Sequence, residues 1–180
     1  RPGQEAELQT LGQSRDTALD RRLRDELGQI TDPDLLRARF RQDFEAGELL
    51  AALRAQERLI AVLGTDVQSN DQANLALALV AEAQGYVSPE AEAALRESLK
   101  LDMGNELSRY LVGEMFLQGG RFDQAFRFWR PLAEGGNPDA PWVGSIRKRI
   151  GDVAELAGIP YALPGAPAPG AAPGPTAEDM

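Results

Sequence analysis

No cysteine and no histidine occur among the 180 residues. The first absence removes disulfide staples, thiol catalysis and iron–sulfur ligation, and the two together remove structural zinc. Compartment stays open, since a cysteine-free chain suits an oxidising space as well as a reducing one. Aromatic residues reach only 6%, so helices packed through alanine and leucine are favoured over a β-sandwich built on rings. No apolar run approaches the roughly 18 residues of a membrane span. Basic residues are in the minority, 19 against 28 acids for a net charge of −9. Nucleic acid is therefore a poor partner, because no basic excess is there to release its counterions. What is present is 43% hydrophobic residues, enough for one domain with its own core. The opening Arg1–Pro2–Gly3 carries neither methionine nor signal peptide and reads as an excised soluble portion of a longer protein.

The apolar residues recur at helical spacing almost throughout. Residues 1–13 are polar and are expected to form a flexible leader. A helix is predicted over 16–30 on Leu19, Leu23, Leu27 and Ile30. Thr31–Asp32–Pro33 starts the next, with Leu35, Leu36, Phe40 and Phe44 inward up to Gly47. Further helices are expected over 48–63 and 71–84, and from Ser88–Pro89–Glu90 to 101. Serine there is the N-cap, proline takes the first helical position and acids fill the first turn. A helix pair over 105–135 follows, and then a helix from Asp139–Ala140–Pro141–Trp142 to about 157. The helical domain is thus bounded at 14–158. Residues 159–180 are rich in Pro, Ala and Gly and are expected to form a disordered linker or tail.

Small residues sit where paired helices need them. Gly113 lets one helix approach its neighbour, Gly120 closes the turn, and Ala125 lets the second helix pack flat, with Tyr110, Phe116, Phe122 and Trp129 as the large bodies around them. This is the pattern of a tetratricopeptide unit, a helical hairpin of about 34 residues that stacks into a solenoid. Ala91 precedes Ala125 by 34 residues, and Ala78 and Gly85 precede Gly113 and Gly120 by 35. An earlier, degenerate copy fits Gly47 and Ala52, with Phe40 where a small residue is expected. The predicted fold is all-α: two to three repeats with flanking capping helices.

The first helices of such repeats line a concave surface. Counted from the small residue, the groove-facing positions are its −6, −3, +1 and +4 neighbours. They are Leu107, Tyr110, Glu114 and Leu117 in the third copy, and Gln72, Leu75, Leu79 and Glu82 in the second. In the first they are Asp34, Arg37, Arg41 and Phe44. The lining mixes apolar and charged residues, as a groove for an amphipathic helix would; the competing reading is packing between neighbouring helices. Tetratricopeptide domains that grip a free C-terminal carboxylate use Lys and Asn at several of these points, and none occurs there.

No catalytic constellation is found. Glu90, Glu92, Asp102, Glu106 and Glu114 lack an accompanying nucleophile, histidine or glycine-rich phosphate loop, and are read as helix-start acids and solvated faces. Met103–Gly104–Asn105 is read as a helix stop and restart rather than a phosphate cradle. Trp129 and Phe116 are assigned to the core. No enzyme activity, cofactor or metal is expected.

Several stretches resemble the cytochrome c-type biogenesis family CcmI/CycH in its α-proteobacterial form. They are Ala55–Gln56–Glu57–Arg58–Leu59–Ile60–Ala61–Val62–Leu63–Gly64 and Gly85–Tyr86–Val87–Ser88–Pro89–Glu90–Ala91–Glu92–Ala93–Ala94–Leu95, then Arg109–Tyr110–Leu111–Val112–Gly113, Phe126–Arg127–Phe128–Trp129–Arg130–Pro131–Leu132 and Asp139–Ala140–Pro141–Trp142. The Pro173–Met180 end resembles the family's linker, and Arg1–Pro2–Gly3 the residues after its second transmembrane helix; residues 1–50 match poorly. The resemblance implies a periplasmic repeat domain, anchored to the inner membrane upstream of Arg1. Such a domain holds apocytochrome c by its C-terminal helix and presents it to the haem chaperone CcmE and the CcmF/CcmH haem-ligation complex. A generic tetratricopeptide scaffold for envelope assembly is the alternative.

Overall fold

The computed structural model describes residues 2–165, without the side chains of Pro2 and 7–16. Every regular element among them is helical, as expected. The order is α1 (Pro2–Gly28), α2 (Pro33–Glu45), α3 (Leu49–Leu63), a 3-10 turn (Gly64–Asp66), α4 (Ser69–Glu82), α5 (Pro89–Leu101), α6 (Glu106–Gln118), α7 (Phe122–Gly135) and α8 (Pro141–Leu156). Caps fix the starts: Asp32 accepts from the Asp34 amide at 2.9 Å, Ser88 from Ala91 at 3.2 Å and Asn105 from Ser108 at 3.0 Å.

Consecutive helices pair as antiparallel hairpins, α2 with α3, α4 with α5 and α6 with α7, and α8 packs on α7 as the start of a further turn. Between hairpins, the first helices touch, α4 with α6 and α6 with α8, while α3, α5 and α7 make no comparable contact with one another. The first helices therefore line the inner radius of the stack and the second helices its outer radius. Ala52, Ala91 and Ala125 are fully buried, as their repeat positions require.

The leader expected over 1–13 is not loose where it is described: α1 begins at Pro2. Gln4, Glu5, Ala6 and their neighbours are good helix formers, and no proline interrupts them before α2. At the other end the domain runs past 158. Ile159, Tyr161 and Leu163 fold back on the α7–α8 core, with Tyr161 edge-on to Phe126 at 5.0 Å and hydrogen-bonded to Glu134. The remainder of the expected linker, residues 166–180, lies outside the described residues. Leu35, expected inward, is 58% exposed.

α1 is held to α3 by Leu23 and Leu27 and by Asp20, which accepts from both Arg54 and Arg24. The Arg54 hydrogen bond holds the Asp20 carboxyl below its usual value. A lowered carboxylate stabilises the fold above its unfolded value of about 4, and that contribution is lost as pH falls through the lower, folded value. Amide exchange across α1 should accelerate in that acid window before α3–α8 respond, and Asp20→Asn should reproduce the effect at neutral pH. Equal protection of α1 and α3 throughout would show that the link does not hold the helix.

Candidate peptide-binding groove

Two adjoining cavities run along the first helices. One, of about 460 Å³, is lined by Arg37, Phe40 and Arg41 of α2, Gln56 and Leu59 of α3, and Gln68, Asn70, Asp71 and Asn74 at the start of α4. The other, of about 520 Å³, is lined by Asn70, Asn74 and Leu77 of α4, Asp102 and Gly104 to Leu107 around the start of α6, and Trp142 of α8. Asn70 and Asn74 belong to both, so the two form one inner surface to which five helices contribute. A third cavity of about 270 Å³ lies between α1 and α3, away from this face.

A buried polar network fixes the floor. Ser98 and Ser108 share a hydrogen bond of 2.7 Å, Ser98 bonds Ser69 at 2.9 Å, and Asn105 donates to Asn70 Oδ1 at 2.8 Å. Ser98, Ser108 and Asn105 are all buried, and such satisfied networks rigidify the elements they join. Asn70, which lines both cavities, is thereby tied to the start of α6. Gln56 donates to the Asp71 carbonyl at 2.8 Å, while the buried Asp71 carboxylate accepts from the Gln68 amide at 2.9 Å and from Arg37 at 3.5 Å.

The predicted groove residues are divided by this arrangement. Arg37, Arg41 and Leu107 line the cavities. Tyr110 and Glu114 lie on α6 but are engaged by the protein itself. Tyr110 stacks on Trp129 at 5.8 Å with Ser145 beside its phenol, Glu114 forms an ion pair with Arg149, and Arg149 lies 4.8 Å over the Trp129 ring. Burial, with the Glu114 charge beside it, holds the Tyr110 phenol above its usual value, and the Glu114 hydrogen bond raises Arg149. Leu117 packs on the α7–α8 core and Phe44 on the α1–α3 core, where it meets Phe40 at 5.6 Å. Glu82 is exposed at the end of α4.

On α4 the expected register is wrong by two residues. Ala78 is buried among α2 and α3, whereas Ala76 shares the core of Ala91, Ala94 and Leu95 on α5. Ala76 is therefore the counterpart of Gly113, and Leu75 and Leu79 pack between the first two hairpins. The face left open carries Asn70, Asn74 and Leu77, spaced i, i+4 and i+7; Gln72 falls on the opposite side of the helix. The physical cause is the turn. Gln84 and Gly85 both adopt left-handed φ, 55° and 97°, where the α6–α7 turn uses Gly120 alone at 71°. The longer α4–α5 turn makes the glycine spacing a false guide to the helix register. Asparagine does therefore reach the groove, contrary to the sequence reading, and Trp142 was missed as well. The signal for both lay in the buried faces of α4 and in counting α8 as another first helix.

Three of the acids considered for catalysis outside the Glu114 pair have structural partners. Glu106 accepts from the Asn137 amide, Asp102 from the Gly104 amide and Glu92 from Arg96. Among the described residues no acidic cluster could hold a metal ion, and no helix is long and apolar enough to cross a membrane.

No family model matches this chain. A curated protein of Rhizobium meliloti (strain 1021), named cytochrome c-type biogenesis protein CycH, is 37% identical over 115 residues, or 63% of this chain. The chain spans 29% of that protein's length. It is thus homologous over most of its helical array to a member of the family its sequence resembles.

Proposed function

We propose that this chain, as a relative of a cytochrome c-type biogenesis protein, acts in cytochrome c maturation by holding an unfolded apocytochrome c. Its inner face takes the partner's C-terminal segment as a helix, without catalysis. The observation that carries this reading is the continuous surface along α2, α4, α6 and α8, where amides and charges alternate with Leu77, Leu107 and Trp142. An amphipathic helix lays its apolar stripe on such a surface and keeps its polar side wet. Ordering the partner costs about 2–5 kcal/mol of the gross interaction, which keeps affinity moderate and release possible. The released segment passes to the haem chaperone CcmE and the CcmF/CcmH ligation complex, and the domain works in the periplasm, anchored to the inner membrane by segments upstream of Arg1.

The test is a calorimetric titration with a synthetic peptide of an apocytochrome C-terminal helix. Leu77→Glu combined with Leu107→Glu should weaken binding at least about tenfold while helical circular dichroism is retained. Apocytochrome c should also be captured in preference to the haem-loaded protein. No binding of the peptide, or equal capture of both forms, would defeat the proposal.

A further inference from the structure

The cavity between α1 and α3 takes no part in the groove, and its walls are of another kind. Three arginines meet there, Arg24 of α1 with Arg54 and Arg58 of α3, beside the apolar Leu27 and Ala61. Arg54, Arg58 and Ala61 stand at i, i+4 and i+7 on α3, and Arg24, Leu27 and Gly28 at i, i+3 and i+4 on α1, so each set shares one helix face. Each guanidinium is anchored through only part of its donor set. Arg24 gives Nε to Asp20, Arg54 gives Nε to Asp20 and Nη1 to Glu57, and Arg58 gives Nε to the Ile30 carbonyl. Among the described residues Arg58 has no carboxylate partner, and Nη1 and Nη2 of Arg24 and Arg58, with Nη2 of Arg54, donate to no protein oxygen. Three positive charges are thus balanced by two carboxylates, Asp20 and Glu57, on a chain whose net charge is −9.

We infer that this recess is an anion site whose ligand is a phosphate group, seated between α1 and α3 by Arg24, Arg54 and Arg58. A guanidinium already held at Nε presents its Nη hydrogens in a set direction, so little side-chain freedom is lost when an anion arrives. Forks approaching from two helices suit a tetrahedral group, which accepts charge-assisted bonds on more than one edge. A carboxylate, with two oxygens, can satisfy fewer of them. About 270 Å³ admits a phosphate together with part of whatever carries it. Gly28 ends α1 at the recess, and the partial negative charge of that helix end opposes an anion. It amounts to roughly half a charge, against one unbalanced guanidinium, and Arg58 already covers the Ile30 carbonyl. Once seated, the anion bridges Arg24 to Arg58 and so adds a second tie between α1 and α3 beside the Asp20 link. The docking of α1 thereby depends on the ligand.

The experiment titrates the full chain with inorganic phosphate and follows the arginine Nε resonances and the amides of α1 and α3 by NMR. Sodium chloride at equal ionic strength is the control. Phosphate should give saturable shifts at Arg24, Arg54 and Arg58 that chloride does not. At about ten times the midpoint it should slow amide exchange across α1 about tenfold. Arg58→Gln should raise the midpoint at least about fivefold. Arg24→Gln, at an exposed position, should do the same and guards against α1 being loosened by the first variant, while Arg96→Gln on α5 should leave the midpoint unchanged. Cosedimentation with phosphatidylcholine vesicles, with and without phosphatidic acid, separates the sources of the phosphate. Retention by the phosphatidic acid vesicles, lost in Arg24→Gln, assigns a lipid headgroup; phosphate shifts without retention assign a soluble phosphate compound. Equal shifts with chloride, or a midpoint that neither variant moves, would overturn the inference. The groove reading is untouched by that result, because the recess lies away from the inner face.

Discussion

Replacing Trp129 by alanine is expected to lower the free energy of unfolding by about 3–5 kcal/mol. The indole is fully buried in the α7–α8 core. It stacks on Tyr110, lies under Arg149 and donates from Nε1 to the Tyr110 carbonyl at 3.0 Å. Truncation removes the largest buried side chain of the fold, and the cavity left behind cannot collapse, since three helices would have to move together. The loss should also loosen Arg149 and Glu114, so α8 should lose amide protection with α6 and α7. A denaturant melt checks the magnitude, and a loss below about 1 kcal/mol would place Trp129 outside the core.

Gly113→Ala should be destabilising by about 1–3 kcal/mol, although alanine is favoured over glycine in a helix by about 1 kcal/mol. The two effects have opposite sign, which makes the result diagnostic. A Cβ at Gly113 would fall within the Trp129 indole, against its Nε1, Cδ1 and Cε2 atoms. Relief would require the ring to leave its stack on Tyr110. Combined with Trp129→Phe, the alanine should cost distinctly less than it does alone, because the atoms it meets are gone; that non-additivity is the mark of direct contact. A stabilised Gly113→Ala variant would mean that α6 and α7 are free to separate.

Both predictions concern positions legible in the sequence. Gly113, Gly120, Ala125 and Trp129 stand at spacings that only a close-packed helical hairpin requires, and each is placed as those spacings predict. The groove was less legible. Tyr110 and Glu114 were expected to meet a partner, but α8 brings Ser145 and Arg149 onto them. Their engagement depends on a helix some 35 residues away, which local spacing does not report. Leu75 and Leu79 look like groove residues when counted from Ala78, and Ala78 is small enough to pass for the contact to α5. Alanine is a weak marker on a helix with four of them (Ala73, Ala76, Ala78 and Ala81, all buried or half-buried), since any of these admits a close neighbour.

Composition and periodicity by themselves determined that the chain is a stack of helical hairpins, where α2 to α8 start and stop to within about two residues, and which small residues close the α6–α7 hairpin. Those properties arise from capping, propensity and one-dimensional spacing, all of which act between near neighbours. Only the tertiary structure decided which face of α4 is open, that α8 seals Glu114 and Tyr110, and that Arg41, Asn74 and Trp142 share one surface. Those outcomes depend on the rotation of one helix against another, and a register shift of two residues turns a helix face by more than half a revolution, with little trace in the pattern of apolar residues.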